Sequence, residues 1–173
     1  MKKNILVATL AAVAAISSVS AFAADGTINF TGEITDTACT VSNLSGGALA
    51  VNMGKVAKST FVGGKGTTAS ATKFTLALTN CPSVAATVKF DGLSVAGDNN
   101  TLALTTGGAT GVGIQLSNAG STTPLQLGGL SAPYTLNNTG TNNLDFIARY
   151  VATDVNVVSG QANASASFTV NYN

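Results

Sequence analysis

Apolar and polar side chains alternate with period two through most of this chain, in short runs broken by glycine, asparagine, serine and proline. That pattern suits strands with one buried face and excludes a helical fold. It predicts strands at 27–41, 48–53, 72–80, 86–93, 101–105, 112–116, 124–127, 134–136, 144–152 and 164–172. Turn signals such as Ser45-Gly46-Gly47, Cys81-Pro82, Gly97-Asp98-Asn99-Asn100, Gly107-Gly108 and Asn137-Asn138 separate them. Many short strands at this spacing indicate an all-β, immunoglobulin-like sandwich, although the Trp that packs on a disulfide in antibody domains is missing. The alternation runs to the last residues, where Phe168, Val170 and Tyr172 share one face. A core strand with nothing after it to cover its far edge has to be completed by something else.

Residues 1–23 read as a cleaved signal peptide. Lys2 and Lys3 are basic, and Ile5–Ile16 is an apolar run of 12 residues, short of the roughly 20 needed to span a bilayer as a retained anchor. Ala21-Phe22-Ala23 offers small residues for cleavage after Ala23, and cleavage after Ala21 also fits. No other apolar run approaches membrane length, so no stable membrane insertion is expected. Residues 24–173, which number 173 − 23 = 150, suit one domain. Without Lys2 and Lys3, 8 − 2 = 6 basic residues face 7 acidic ones, a net charge of −1. No basic stripe is available to neutralise phosphates, which argues against nucleic acid. Charged residues make up only 9% of the chain, and so neutral a surface suits permanent association.

Cys39 and Cys81 are the two cysteines. In an exported chain a single disulfide is the natural reading. Free thiols or metal ligands are the alternative, disfavoured by the wide spacing and by the lack of any His. The missing His also removes the usual general base. No G-x-S-x-G elbow occurs, and Asp25, Glu33, Asp36, Asp91, Asp98, Asp145 and Asp154 are scattered. No catalytic residue, cofactor or metal is expected.

Near the N-terminus, Gly26-Thr27-Ile28-Asn29-Phe30-Thr31-Gly32-Glu33-Ile34 alternates strictly and leads to Cys39. Cys81 precedes Pro82, and the block Phe146-Ile147-Ala148-Arg149-Tyr150-Val151-Ala152-Thr153 follows later. Gly160 lies fourteenth from the C-terminal end and Tyr172 is penultimate. In these features, which span nearly the whole mature chain, the sequence resembles the pilin subunits of chaperone–usher fimbriae, the type 1 pilus major subunit family.

The resemblance implies an incomplete immunoglobulin-like sandwich that lacks its last strand. A donor strand from another subunit completes it, a form of strand addition at a sheet edge. It implies a donor extension at 24–31, with Ile28 and Phe30 inserting and Gly26 placed where a side chain would clash. The remainder, 32–173, is the pilin domain. It implies an acceptor groove and chaperone-binding site formed by Gly160, Phe168, Val170, Tyr172 and the terminal carboxylate of Asn173. The implied partners are copies of itself or related pilins, a periplasmic chaperone and an outer-membrane usher. The chain would pass through the periplasm to an extracellular fimbrium. Many similar pilins have longer extensions, so this donor is short. A structural subunit supporting adhesion is the first expectation. A minor or adhesive subunit binding a surface carbohydrate is the second, and 150 residues leave no room for an added lectin domain.

Overall fold

The computed structural model describes residues 26–32, 34 and 38–172. The signal peptide, the cleavage positions, Ala24, Asp25, Glu33 and Asn173 lie outside the described residues. The chain divides after Ile34 into two units. In the first, residues 26–32 belong to no strand, and Ile28, Phe30 and Ile34 are 80%, 91% and 99% exposed.

The described residues of the second unit form nine strands and one short 3-10 turn at Lys58–Phe61. The strands are β1 Thr40–Val41, β2 Thr68–Thr79, β3 Ala85–Asp91, β4 Ser94–Val95 and β5 Asp98–Leu102. They continue with β6 Val112–Asn118, β7 Tyr134–Thr135, β8 Asn142–Ala152 and β9 Ser167–Tyr172. One sheet has the order β1-β2-β8-β6-β5-β4, the other β7-β3-β9, and every pairing is antiparallel. The expected all-β sandwich is present.

Alternation decides which side chains fill the space between the sheets. On β2, Leu76 and Leu78 are buried while Lys73 is exposed; on β8, Leu144, Phe146, Ala148 and Tyr150 are buried. Phe146 is fully buried, with ring centroids of Phe74, Phe90 and Tyr134 at 5.6, 4.9 and 5.8 Å. It draws both sheets onto one aromatic centre. The Tyr134 hydroxyl donates to the Asp145 carbonyl at 2.8 Å, so its polar tip is satisfied where the ring is packed. Burial, and then the neighbouring Asp145 charge, raise the Tyr134 pKa.

Several expected strands are differently placed. Among the described residues of 27–41, only Thr40–Val41 forms a ladder. Residues 124–127 form none, and a strand begins at Asp98 inside an expected turn. Residues 48–53 keep the alternation, with Leu49, Val51 and Met53 half-buried between exposed Ala50, Asn52 and Gly54. They still join no ladder, because no strand lies beside them among the described residues.

Candidate functional site: an open groove between two strand edges

Two segments without a ladder face each other across the sandwich. One is residues 44–55. The other is residues 161–166, which lead into β9. Between them runs a groove of about 1060 Å3. Its floor is the hydrophobic core itself: Phe74 and Leu76 from β2, Phe90 from β3, Leu102 from β5, Ile114 and Leu116 from β6, Ala148 and Tyr150 from β8.

The backbone explains why the groove is open. β9 pairs with β3 from Ser167↔Asp91 to Tyr172↔Ala86, and no strand pairs with its other edge among the described residues. Upstream, the Gln161 and Asn163 carbonyls accept from Ala109 N–H at 2.8 Å and Thr105 N–H at 2.7 Å. Both bonds turn toward 105–109. Alternate residues of an extended chain direct their backbone groups to opposite edges, so residues 162, 164 and 166 face the other way. The Ala162 carbonyl accepts from the Tyr150 hydroxyl at 3.0 Å, and Ala164 and Ala166 have no backbone partner among the described residues. On the facing wall the Met53 carbonyl accepts from Ser70 Oγ at 2.8 Å. Unpaired edges flanking an apolar floor are the arrangement that an added strand satisfies.

Gly160 sets the upstream end of this wall. A Cβ there would lie 2.6 Å from Ala109 N and 2.7 Å from Gly108 C. Gly108 is tight in the reciprocal sense, since a Cβ on it would overlap the Gln161 carbonyl oxygen. The two glycines let the chains approach closely enough for the 105–109 bonds to form.

Of the three aromatic and aliphatic residues singled out on the last strand, Phe168 lines the groove. Val170 and Tyr172 are half-buried against the same core but lie past the groove's end. There the Tyr172 hydroxyl accepts from Cys39 N–H at 2.8 Å, and Cys39 is disulfide-bonded to Cys81, Cα–Cα 4.4 Å. This end is closed by a covalent bond and a hydrogen bond. The sequence reading takes the edge of 164–172 as the acceptor and 48–53 as a strand; it does not single out residues 161–163 or place 44–55 as the facing wall. The alternation of Leu49, Val51 and Met53, and of Ala162, Ala164 and Ala166 with polar neighbours, was the available signal. A Cβ on Gly26 would meet nothing within 4 Å, so the chain's own fold does not require glycine at that position.

Comparison with known proteins agrees with this geometry. The type-1 fimbrial protein A chain of Escherichia coli strain K12 is 37% identical over 185 residues, covering 99% of this chain and 100% of that one. The type-1 fimbrial protein subunit of Serratia marcescens is 34% identical over 98% and 99%. Among solved structures, a type I fimbria protein of Burkholderia pseudomallei matches with TM-score 0.61 and 40% identity, over 85% of this chain and 97% of that one. The P pilus rod subunit matches with TM-score 0.65 and 24% identity, over 78% and 99%, a likeness of fold. The profile of the family described as fimbrial protein matches residues 28–173. With an incomplete sandwich, an open groove and full-length relatives of this kind, the chain belongs to the fimbrial protein family and is a structural subunit of a fimbria.

Proposed function

We propose that this subunit polymerises by donor-strand exchange, residues 24–31 of one copy, or of a related pilin, filling the groove of the next. The observation that carries this reading is the groove itself, a core floor between two edges that lack ladder partners. The complementary piece is on the same chain: Ile28 and Phe30 are apolar, two residues apart and exposed. Burying two such side chains contributes about 3–6 kcal/mol, from about 1.5–3 kcal/mol each. A row of ladder hydrogen bonds adds to it. Gly26, on the same face, is the position at which a side chain would meet the acceptor.

Before polymerisation the same edge would be covered by a periplasmic chaperone, whose basic residues would hold the Asn173 carboxylate, and exchange would take place at an outer-membrane usher. The subunit would reach the surface through the periplasm after loss of residues 1–23 and support adhesion as part of the fibre. Its role is mechanical and adhesive, with no chemistry to catalyse.

The test replaces Ile28 and Phe30 together with Asp. The variant should still accumulate with chaperone in the periplasm, and no fibre containing it should appear by electron microscopy. Fibres of normal length from the double variant would sink the donor assignment.

A further inference from the structure

Charge is divided unevenly between the two halves of this joint. Residues 24–37 carry Asp25, Glu33 and Asp36 and no basic residue, a net of −3. Residues 38–173 carry Lys55, Lys58, Lys65, Lys73, Lys89 and Arg149 against Asp91, Asp98, Asp145 and Asp154, 6 − 4 = +2. Pairing inside the domain sharpens the contrast. Lys73 is bound to Asp145 at 2.7 Å and Lys89 to Asp91 at 3.0 Å. Asp98 accepts from Thr101 Oγ1 and Asn100 N–H. Among the described residues, Lys55, Lys58, Lys65 and Arg149 make no ion pair with a carboxylate.

The three lysines are exposed and follow one another along 55–65, the stretch that continues from the groove wall at 44–55. Lys55 lines the groove, and Lys58 opens the 3-10 turn just after it. Lys65 precedes Gly66, whose N–H bonds the Ala152 carbonyl at 2.8 Å, two residues along β8 from Tyr150 in the floor. Asp154 is the nearby carboxylate, on an exposed loop where it accepts from Asn156 N–H at 2.9 Å. With no acid between residues 55 and 65, the stretch that leaves the groove at Lys55 carries three positive charges.

The groove's polarity follows from its walls. Ser70 bonds the Met53 carbonyl, Ala69 pairs with Tyr150, and Tyr150 bonds the Ala162 carbonyl. Met53 and Lys55 therefore stand at the Ala162 end, while Leu44 and Phe168 stand at the other, and the two walls run antiparallel. A strand antiparallel to 161–168 brings its Glu33 to Lys55. A strand parallel to it brings its Asp25 there. The alternating donor segment carries an acid toward either end.

We propose that the occupant of this groove is the acidic segment 24–37 of a second copy, and that Lys55, supported by Lys58 and Lys65, steers it in by pairing with the flanking carboxylate that arrives beside it. The inference rests on the donor-strand reading and adds an electrostatic gate to it. Charges of opposite sign at the mouth of a site raise the association rate, and salt removes the gain as the screening length falls to about 10 Å at 0.1 M and below.

The test uses the oxidised mature chain with Ile28→Asn and Phe30→Asn, uncharged changes that disable its own donor without altering its charge. A synthetic peptide of residues 24–37 is added, and insertion is followed by native gel and mass spectrometry. Insertion should slow about tenfold between about 20 mM and about 500 mM NaCl. Adding Lys55→Glu and Lys58→Glu should slow it at low salt and remove or invert the salt dependence. A peptide with Asp25→Lys, Glu33→Lys and Asp36→Lys should then insert faster into that charge-reversed chain than into its parent. Peptides carrying Asp25→Asn or Glu33→Asn should differ in rate, the slower one naming the acid beside Lys55, and equal rates would overturn the pairing of Lys55 with a single flanking acid. Complete insertion at one rate across all salts and charges overturns the steering while leaving donor-strand exchange standing. Failure of every peptide to insert overturns the donor reading and the steering together.

Discussion

Replacing Gly160 with Ala should destabilise the domain, and the structure sets the scale. The added Cβ would meet Ala109 N at 2.6 Å, Gly108 C at 2.7 Å and Ala109 Cα at 3.1 Å. All three are backbone atoms, so no rotamer change can relieve the overlap. Carbon contacts are comfortable at about 3.5–4.0 Å, and the two segments must therefore part by about 1 Å. That movement strains three bonds: Ala109 N–H to the Gln161 carbonyl at 2.8 Å, and the Thr110–Val158 pair at 3.2 and 3.0 Å. Overpacking of this kind costs about 1–3 kcal/mol. Weakening the bonds adds about 1 kcal/mol, so the expected loss is about 2–4 kcal/mol. Urea unfolding of the oxidised mature chain measures it. Gly108→Ala should cost a similar amount. The double variant should lose less than the sum, since either change alone already separates the same two segments. A Gly160→Ala chain within about 0.5 kcal/mol of the parent would refute the reasoning, because a mere preference for small residues predicts that result.

Three further outcomes follow from the fold. Phe146→Ala removes the ring on which Phe74, Phe90 and Tyr134 converge and should cost about 3–5 kcal/mol in chemical denaturation. Cys39→Ser with Cys81→Ser opens a loop of sequence separation 42 and should cost about 4 kcal/mol on the chain-entropy account, seen as an equal loss on reducing the parent. Asp145 has its pKa lowered, first by the Lys73 hydrogen bond and then by Thr75 Oγ1 at 2.6 Å. A carboxyl lowered in the folded state contributes stability above its ordinary range, and that contribution is lost as pH falls through the folded value. Asp145→Asn should therefore flatten the acid limb of a stability–pH profile, with an effect at neutral pH below about 1 kcal/mol because the pair is largely solvated. An unchanged acid limb would count against the Lys73–Asp145 coupling.

Alternation made the central strands legible. Leu76 and Leu78 on β2 and Leu144, Phe146 and Ala148 on β8 declare their inward face in the sequence, and each finds a ladder partner that preserves it. The same rule misplaced residues 48–53 as a strand, because periodicity reports which side chains turn inward and is silent about whether a neighbour supplies hydrogen bonds. It missed the strand start at Asp98 because Asn99 and Asn100 look like turn residues, although Asp98 and Thr101 brace that hairpin through their side chains. The spacing of Gly160 from the end was legible only through family resemblance. Its physical cause, contact with Gly108 and Ala109, lies some 50 residues upstream, and no local pattern encodes so distant an approach. Phe168 stood out through its place in the alternation, whereas Ala162 escaped notice because a small residue signals room for another chain only once the facing wall is known.

The groove floor carries one more consequence, an optical one. The chain has no Trp and three Tyr, so its intrinsic fluorescence, excited beyond the phenylalanine band, is tyrosine alone. The three rings stand in separate places: Tyr134 against the aromatic centre, Tyr172 beside the disulfide, and Tyr150 in the groove floor with its hydroxyl on the wall. Tyr134→Phe and Tyr172→Phe together would leave Tyr150 as the single native tyrosine fluorophore, looking directly into the groove. Filling and emptying of the groove could then be watched in real time, without a dye or a fused label on a surface built for assembly.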